Sequence, residues 1–195
     1  CRFHPEAGYN RRVQPCLRFH LPGEIDVESN RPYHGNTLIS FKTDGEVSSS
    51  PIAIDGTIYI GSSDQKPYSL DAETGEEQWV FNANTEVYYF DKITSNIYTN
   101  GYSSVYRVFA VDIASGSEQW FYGTSSDIIS VAADGGSVYI QTFQGGVQAV
   151  DTTTAESEWS LNVRGEQINL IGDTLYVGGY DDNLYAVDAN DGTEK

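Results

Sequence analysis

From Asn36 onward the chain alternates short apolar runs with clusters of Gly, Asp, Ser and Thr. The runs are too short for helices and rich in Val, Ile, Tyr and Trp, a pattern that predicts strands divided by turns. Asn36–Thr43 and Ser48–Ile54 each predict a strand. Asp55-Gly56 then predicts a tight turn into Thr57–Gly61, because a two-residue hairpin demands positive φ and this pair tolerates it. Ser62–Pro67 reads as a loop, Tyr68–Asp71 as a third strand, Ala72–Gly75 as a turn and Glu77–Asn82 as a fourth strand. Runs such as Thr57–Gly61, Ser137–Thr142 and Thr174–Gly178 carry apolar or aromatic residues at successive positions, as strands covered on both faces do.

The plan then repeats. Tyr68–Trp79 returns as Val108–Trp120, Val147–Trp159 and Leu184–Lys195. Asp71, Asp112, Asp151 and Asp188 recur at steps of 41, 39 and 37 residues, and Trp79, Trp120 and Trp159 keep step with them. Four short antiparallel strands in about 40 residues make one propeller blade. The expected fold is therefore all-β: a β-propeller of four-stranded antiparallel blades, about four of them present, in repeat units 39–78, 79–119, 120–158 and 159–195. The last unit breaks off inside a turn and no Met occurs, so this reading takes the chain as part of a larger propeller.

Each repeated residue has an expected structural role. An Asp that ends the third strand can accept hydrogen bonds from amides two or three residues on. Gly75, Gly116 and Gly192 stand where positive φ is wanted, and Ala155 in the third copy predicts a weaker or altered turn. Trp79, Trp120 and Trp159 offer large planes to an adjacent blade.

Composition narrows the partners. With 28 acidic residues against 11 basic, the formal net charge is −17. The acids are spread through turns, which describes a solvated anionic surface of the kind seen in salt-adapted proteins and excludes nucleic acid and anionic lipid as partners. No apolar run is long enough to cross a membrane as a helix. Residues 1–38 hold five of the seven arginines, all three histidines, both cysteines and four of the six prolines, and read as an irregular lead-in. Cys1, His4, Cys16 and His20 have spacings that could ligate zinc; a disulfide, free thiols or a lipid anchor on Cys1 are the alternatives.

The pattern Val/Leu-x-Ala-Val/Leu-Asp-x-x-Thr/Ser-Gly-x-x-x-Trp, preceded by Asp-Gly-x-Ile/Val-Tyr-Ile/Val, resembles the pyrroloquinoline-quinone (PQQ) type β-propeller repeat. The resemblance covers residues 36–195 in four copies, and Arg2–Asn10 is similar to a segment that precedes the first blade in secreted, halophile-type members. Such proteins commonly form seven or eight blades. They include PQQ-dependent alcohol and glucose dehydrogenases, an outer-membrane assembly lipoprotein scaffold, kinase-attached sensor domains and cofactor-free surface proteins.

The resemblance implies PQQ with calcium in the enzymes of the family, held near an Asp base, an Arg and often two adjacent cysteines. No residue here matches that set, so no catalytic, cofactor or metal residue is assigned. Acidic loops at Tyr180–Asn183 and Asp188–Asp191 lack an EF-hand spacing. Two functions follow as expectations. The first is a non-catalytic scaffold, extracellular or at the cell surface, that binds protein partners or further blades. The second is a piece of a PQQ-dependent dehydrogenase whose cofactor site lies mostly outside this chain.

Overall fold

The computed structural model describes residues 16–21, 24–29, 37–93, 96–102 and 106–195, with side chains over 40–87 and 106–195. Eighteen strands and no helix occur among them. The strands form five antiparallel sheets taken in chain order. The first sheet has three strands, β1 (Cys16–Leu21), β2 (Glu24–Ser29) and β3 (Thr37–Lys42). The second holds β4 (Ile52–Ile54), β5 (Thr57–Gly61), β6 (Pro67–Asp71) and β7 (Glu77–Val80). The third holds β8 (Glu86–Ile93), β9 (Asn96–Tyr102), β10 (Arg107–Asp112) and β11 (Glu118–Gly123). In the fourth are β12 (Ile128–Ala133), β13 (Ser137–Thr142), β14 (Gly146–Asp151) and β15 (Ser157–Leu161). The fifth has three strands, β16 (Gly165–Ile171), β17 (Thr174–Gly179) and β18 (Leu184–Asp188), and Glu194 forms an isolated bridge to Val187 beyond it.

Four apolar cores fill the spaces between successive sheets. Phe41 packs with Ile58, Ile60, Tyr68 and Leu70 between the first and second sheets. Tyr59, Trp79, Val87, Phe109 and Val111 join the second to the third. Val108, Ala110, Val138, Ile140 and Val150 join the third to the fourth. Tyr139, Ala149, Leu175, Val177 and Val187 join the fourth to the fifth. Successive residues of one strand therefore serve different cores: Ile58 and Ile60 point back, Tyr59 points forward, and Val138 and Tyr139 divide in the same way. This is the physical reason the middle strands lack polar faces.

The stretch expected to be an irregular lead-in contains β1 and β2. Leu17, Phe19 and Leu21 alternate with Cys16, Arg18 and His20, and Ile25 and Val27 alternate with acids. The register sets Leu17 opposite Val27, Phe19 opposite Ile25, and Ile25 opposite Phe41. That period-2 pattern is masked in the sequence by Arg, His and Pro, yet pairing satisfies the backbone of β3, which alone would leave a row of unpaired groups. Sheets and repeat units are also out of phase: the units start at the fourth strand, whereas each sheet starts after it.

Both ends of the second, fourth and fifth sheets are tied locally. Ala72 N–H donates to Gly56 O at 2.8 Å, Thr152 N–H to Gly136 O at 2.9 Å and Ala189 N–H to Asp173 O at 2.9 Å. These bonds put the first and third turns of these three sheets on one face, here the turn face. Ser63 N–H to Glu46 O at 2.8 Å, Phe143 N–H to Asp127 O at 2.9 Å and Tyr180 N–H to Arg164 O at 3.0 Å gather the remaining connections on the opposite loop face.

Candidate functional site

On the turn face each recurring aspartate holds its own turn. Asp71 Oδ1 accepts from Glu73 N–H at 2.9 Å, Thr74 N–H at 2.7 Å and Thr74 Oγ1 at 3.0 Å. Asp112 Oδ1 takes the same bonds from Ala114 and Ser115, and Asp151 Oδ1 from Thr153 and Thr154. Asp188 Oδ1 accepts from both nitrogens of Asn190, while its Oδ2 pairs with Lys195 Nζ at 3.1 Å. Donors aimed at the ionised form hold these carboxyls below their ordinary range. The foremost donor is the Thr74 amide for Asp71, the Ser115 hydroxyl for Asp112, the Thr154 amide for Asp151 and the Asn190 amide for Asp188.

Each turn closes on a residue with positive φ: 75° at Gly75, 68° at Gly116 and 74° at Gly192. Ala155 does not alter its turn. Its φ is 58°, and its N–H donates to Asp151 O at 3.0 Å, against 2.8 Å for Gly116 to Asp112 O. The turn's own hydrogen bonds hold the alanine in a conformation its Cβ disfavours, so the departure shows as strain and not as a new shape.

The tryptophans link blades. Trp79 Nε1 donates to Ile113 O at 2.8 Å, Trp120 Nε1 to Thr152 O at 2.8 Å and Trp159 Nε1 to Ala189 O at 3.0 Å. In every copy the acceptor is the residue after the landmark aspartate of the following sheet. The indole also stacks on its own sheet, with Tyr59 and Trp79 ring centroids 5.9 Å apart and Tyr139 and Trp159 5.8 Å apart. A substituent on Gly116 or Gly192 would meet this ring: a Cβ would lie 2.7 Å from Trp79 Cγ or from Trp159 Cε3.

Two features are absent from the sequence reading. The residues before Trp79 and Trp159, and Lys195 at the matching place in the last copy, reach across their sheets: Gln78 Oε1 accepts from Ser69 Oγ at 3.0 Å, Glu158 Oε2 from Ser137 Oγ at 2.6 Å, and Lys195 Nζ donates to Thr174 Oγ1 at 3.0 Å. Their differing chemistry hides a shared position. Tyrosines also pair with acids of nearby turns: Tyr68 with Asp64 at 2.6 Å, Tyr139 with Asp134 at 2.7 Å, and Tyr185 with Asp181. Burial, followed by those hydrogen bonds, pushes the phenols of Tyr68 and Tyr139 above their ordinary range.

The loop face carries a depression of about 340 Å³ lined by Asn162, Val163, Arg164, Tyr180, Asp181 and Tyr185. It opens between the fourth and fifth sheets. Phe143 and Tyr180 stand half-exposed beside it with ring centroids 6.5 Å apart. Asp181 accepts from Asn183 N–H, Asn183 Nδ2 and Tyr185 Oη, and Tyr185 foremost holds its carboxyl below the ordinary range.

A calcium–quinone centre needs converging oxygen ligands. Among the described residues no three His, Cys, Asp or Glu side chains converge as a metal centre would require. In the two acidic loops Asp181, Asp188 and Asp191 are engaged by neighbours in their own turns. The described residues therefore do not fit that group, and no step is derived through it. Cys1, His4 and Arg2–Asn10 lie outside the described residues, as do the side chains of Cys16 and His20.

Blades joined in series by an Asp–Gly turn and an indole clasp define a PQQ-type β-propeller repeat protein. The family model described as outer membrane protein assembly factor BamB matches residues 31–195, and the chain belongs to that family. BamB from Moraxella catarrhalis superposes with a TM-score of 0.71 at 19% identity, over 94% of this chain and 62% of that one. The computationally designed Ika4 protein superposes with a TM-score of 0.69 at 15% identity, over 80% of this chain and 99% of that one. The designed Ika8 protein gives 0.67 at 13% identity, over 87% of this chain and 56% of that one. This chain thus spans less than two thirds of the Moraxella protein it resembles. No curated protein matches it. Among the described residues no helix is long and apolar enough to cross a membrane.

Proposed function

We propose that the chain is a non-catalytic propeller scaffold, at the cell surface or outside the cell, that binds protein partners through its loops. One observation carries the reading: the repeated polar groups serve the fold. The four landmark aspartates hold their own turns and the three indoles hold the next blade, so structure alone accounts for the motif that resembles a redox family. The family is described as an outer membrane protein assembly factor, a role exercised on other proteins, which supports a scaffold at an envelope surface. Further blades of the same repeat bring the propeller to seven or eight. The anionic surface suits high salt.

Titrating PQQ with calcium into the chain, following cofactor absorbance and dye reduction with alcohol or glucose, tests the reading. No saturable binding and no turnover are expected. Binding with turnover overturns the scaffold and favours the dehydrogenase.

A further inference from the structure

In a repeat protein the shared residues build the fold, and what is particular to the molecule sits where one copy departs without a packing reason. One departure reverses a charge. The register sets Val47 opposite Ser62, Val87 opposite Gly101, Ile128 opposite Thr142 and Gly165 opposite Gly179. The residues just before them, Glu46, Glu86, Asp127 and Arg164, therefore occupy one structural position on the loop face. Three copies place a carboxylate there, and the fourth places a guanidinium. Arg164 is exposed, and no described residue forms an ion pair or ring contact with it. By contrast, Arg107 lies 4.3 Å above the Phe121 ring and Lys66 pairs with Asp44 at 3.2 Å. The reversed position borders the 340 Å³ depression, with Tyr180 on its wall and Phe143 beside it, both 50% exposed. An arginine without an ion-pair partner among the described residues, set among exposed aromatics, is the composition of an interface centre.

We propose that this depression docks an extended segment of a protein partner that carries one carboxylate next to an aromatic or aliphatic side chain. The proposal rests on the scaffold reading above and names the site and partner chemistry. The carboxylate meets Arg164, whose planar fork suits two parallel hydrogen bonds. The apolar neighbour covers Tyr180 and Phe143. Asp181 on the wall of the site, with Asp182 next to it in the chain, repels a polyanion, so the charge pattern selects a single acid within an apolar segment.

The test is a random hexapeptide array probed with the labelled chain and with Arg164→Glu. Glu is the residue two other copies carry at this position, so the substitution leaves the blade intact, and matching melting curves check that it does. Arg164→Gln stands in if they differ. Sequences with Asp or Glu beside Phe, Tyr, Trp or Leu are expected to be enriched. Their signal should fall about tenfold or more with Arg164→Glu, the size of losing one charge-assisted pair, and should weaken with Tyr180→Ser. No enrichment, a preference for Lys or Arg, or an unchanged set with Arg164→Glu overturns the docking site. Such an outcome leaves the scaffold standing if the quinone titration is blank, whereas turnover there overturns the scaffold itself.

Discussion

Replacing Gly116 with alanine, and Ala155 with glycine, should move stability in opposite directions. At Gly116 the backbone φ is 68°, where a Cβ costs about 1–2 kcal/mol. The new methyl would also stand 2.7 Å from Cγ and Cδ2 of Trp79 and 2.9 Å from its Cβ. That residue is 92% buried, which leaves the ring little room to retreat. Moving the ring lengthens the Nε1 bond to Ile113 O, a loss of about 0.5–1.5 kcal/mol. Alanine restricts the unfolded chain and returns about 0.4–1 kcal/mol. The balance is a destabilisation of about 2 kcal/mol, or roughly 4–8 °C in Tm for a chain of this size. Ala155→Gly relieves the same strain at φ 58° and gives up the same unfolded-state restriction, leaving about 0.5–1 kcal/mol of gain. Equilibrium urea unfolding followed by tryptophan fluorescence measures both, provided the m-value is unchanged. A Gly116→Ala protein within about 0.5 kcal/mol of the parent, or an Ala155→Gly protein less stable than the parent, would refute both the strain argument and the indole contact.

Two further outcomes concern charge. Asp71, Asp112, Asp151 and Asp188 have folded-state carboxyls lowered from 3.8, so their contribution is present above that value and lost as pH falls through the lower folded value. The urea midpoint should therefore drop below pH 4, and Asp112→Asn should flatten the drop; an unchanged slope counts against the turn's preference for the ionised form. With a net charge of −17, added salt screens repulsion among the acids, so Tm should rise with molar KCl. A flat or falling Tm would remove the salt-adapted reading.

The parts of the fold legible in the sequence are those governed by local chemistry. Asp55 and Gly56 have φ of 51° and 81°, the backbone their dipeptide favours. The spacing of Asp and Trp marks the blades because one turn and one clasp fix both. What stayed hidden depends on register. Counting seven residues on from Trp79, Trp120 and Trp159 lands on Glu86, Asp127 and Glu166, three acids in apparent line. The hydrogen-bond ladder instead sets Arg164 beside Glu86 and Asp127, because the connection before β16 is two residues shorter. A shortened loop thus disguised a reversed charge as part of the repeat. The strands β1 and β2 were hidden for another reason: their alternation is present, but its polar positions hold Cys, Arg and His in β1 and acids in β2, with prolines close by, which read as loop. The shape of the Ala155 turn was overestimated as a local matter, since neighbouring hydrogen bonds overrule one residue's preference.

The indole clasp runs in a single direction along the chain. The third and fourth sheets each supply the donor to their successor and the acceptor to their predecessor, so a duplicated blade of this kind arrives with both halves of the joint and fits between existing ones without new residues. Growth by whole-unit duplication needs no matching change elsewhere, and the number of blades is free to drift while the joint stays fixed. Loss of a single blade's turn has the reverse effect, because it strands the tryptophan of the blade before it. Damage therefore spreads toward the amino-terminal side through that lost acceptor, whereas the blade after the break keeps its own donor seated.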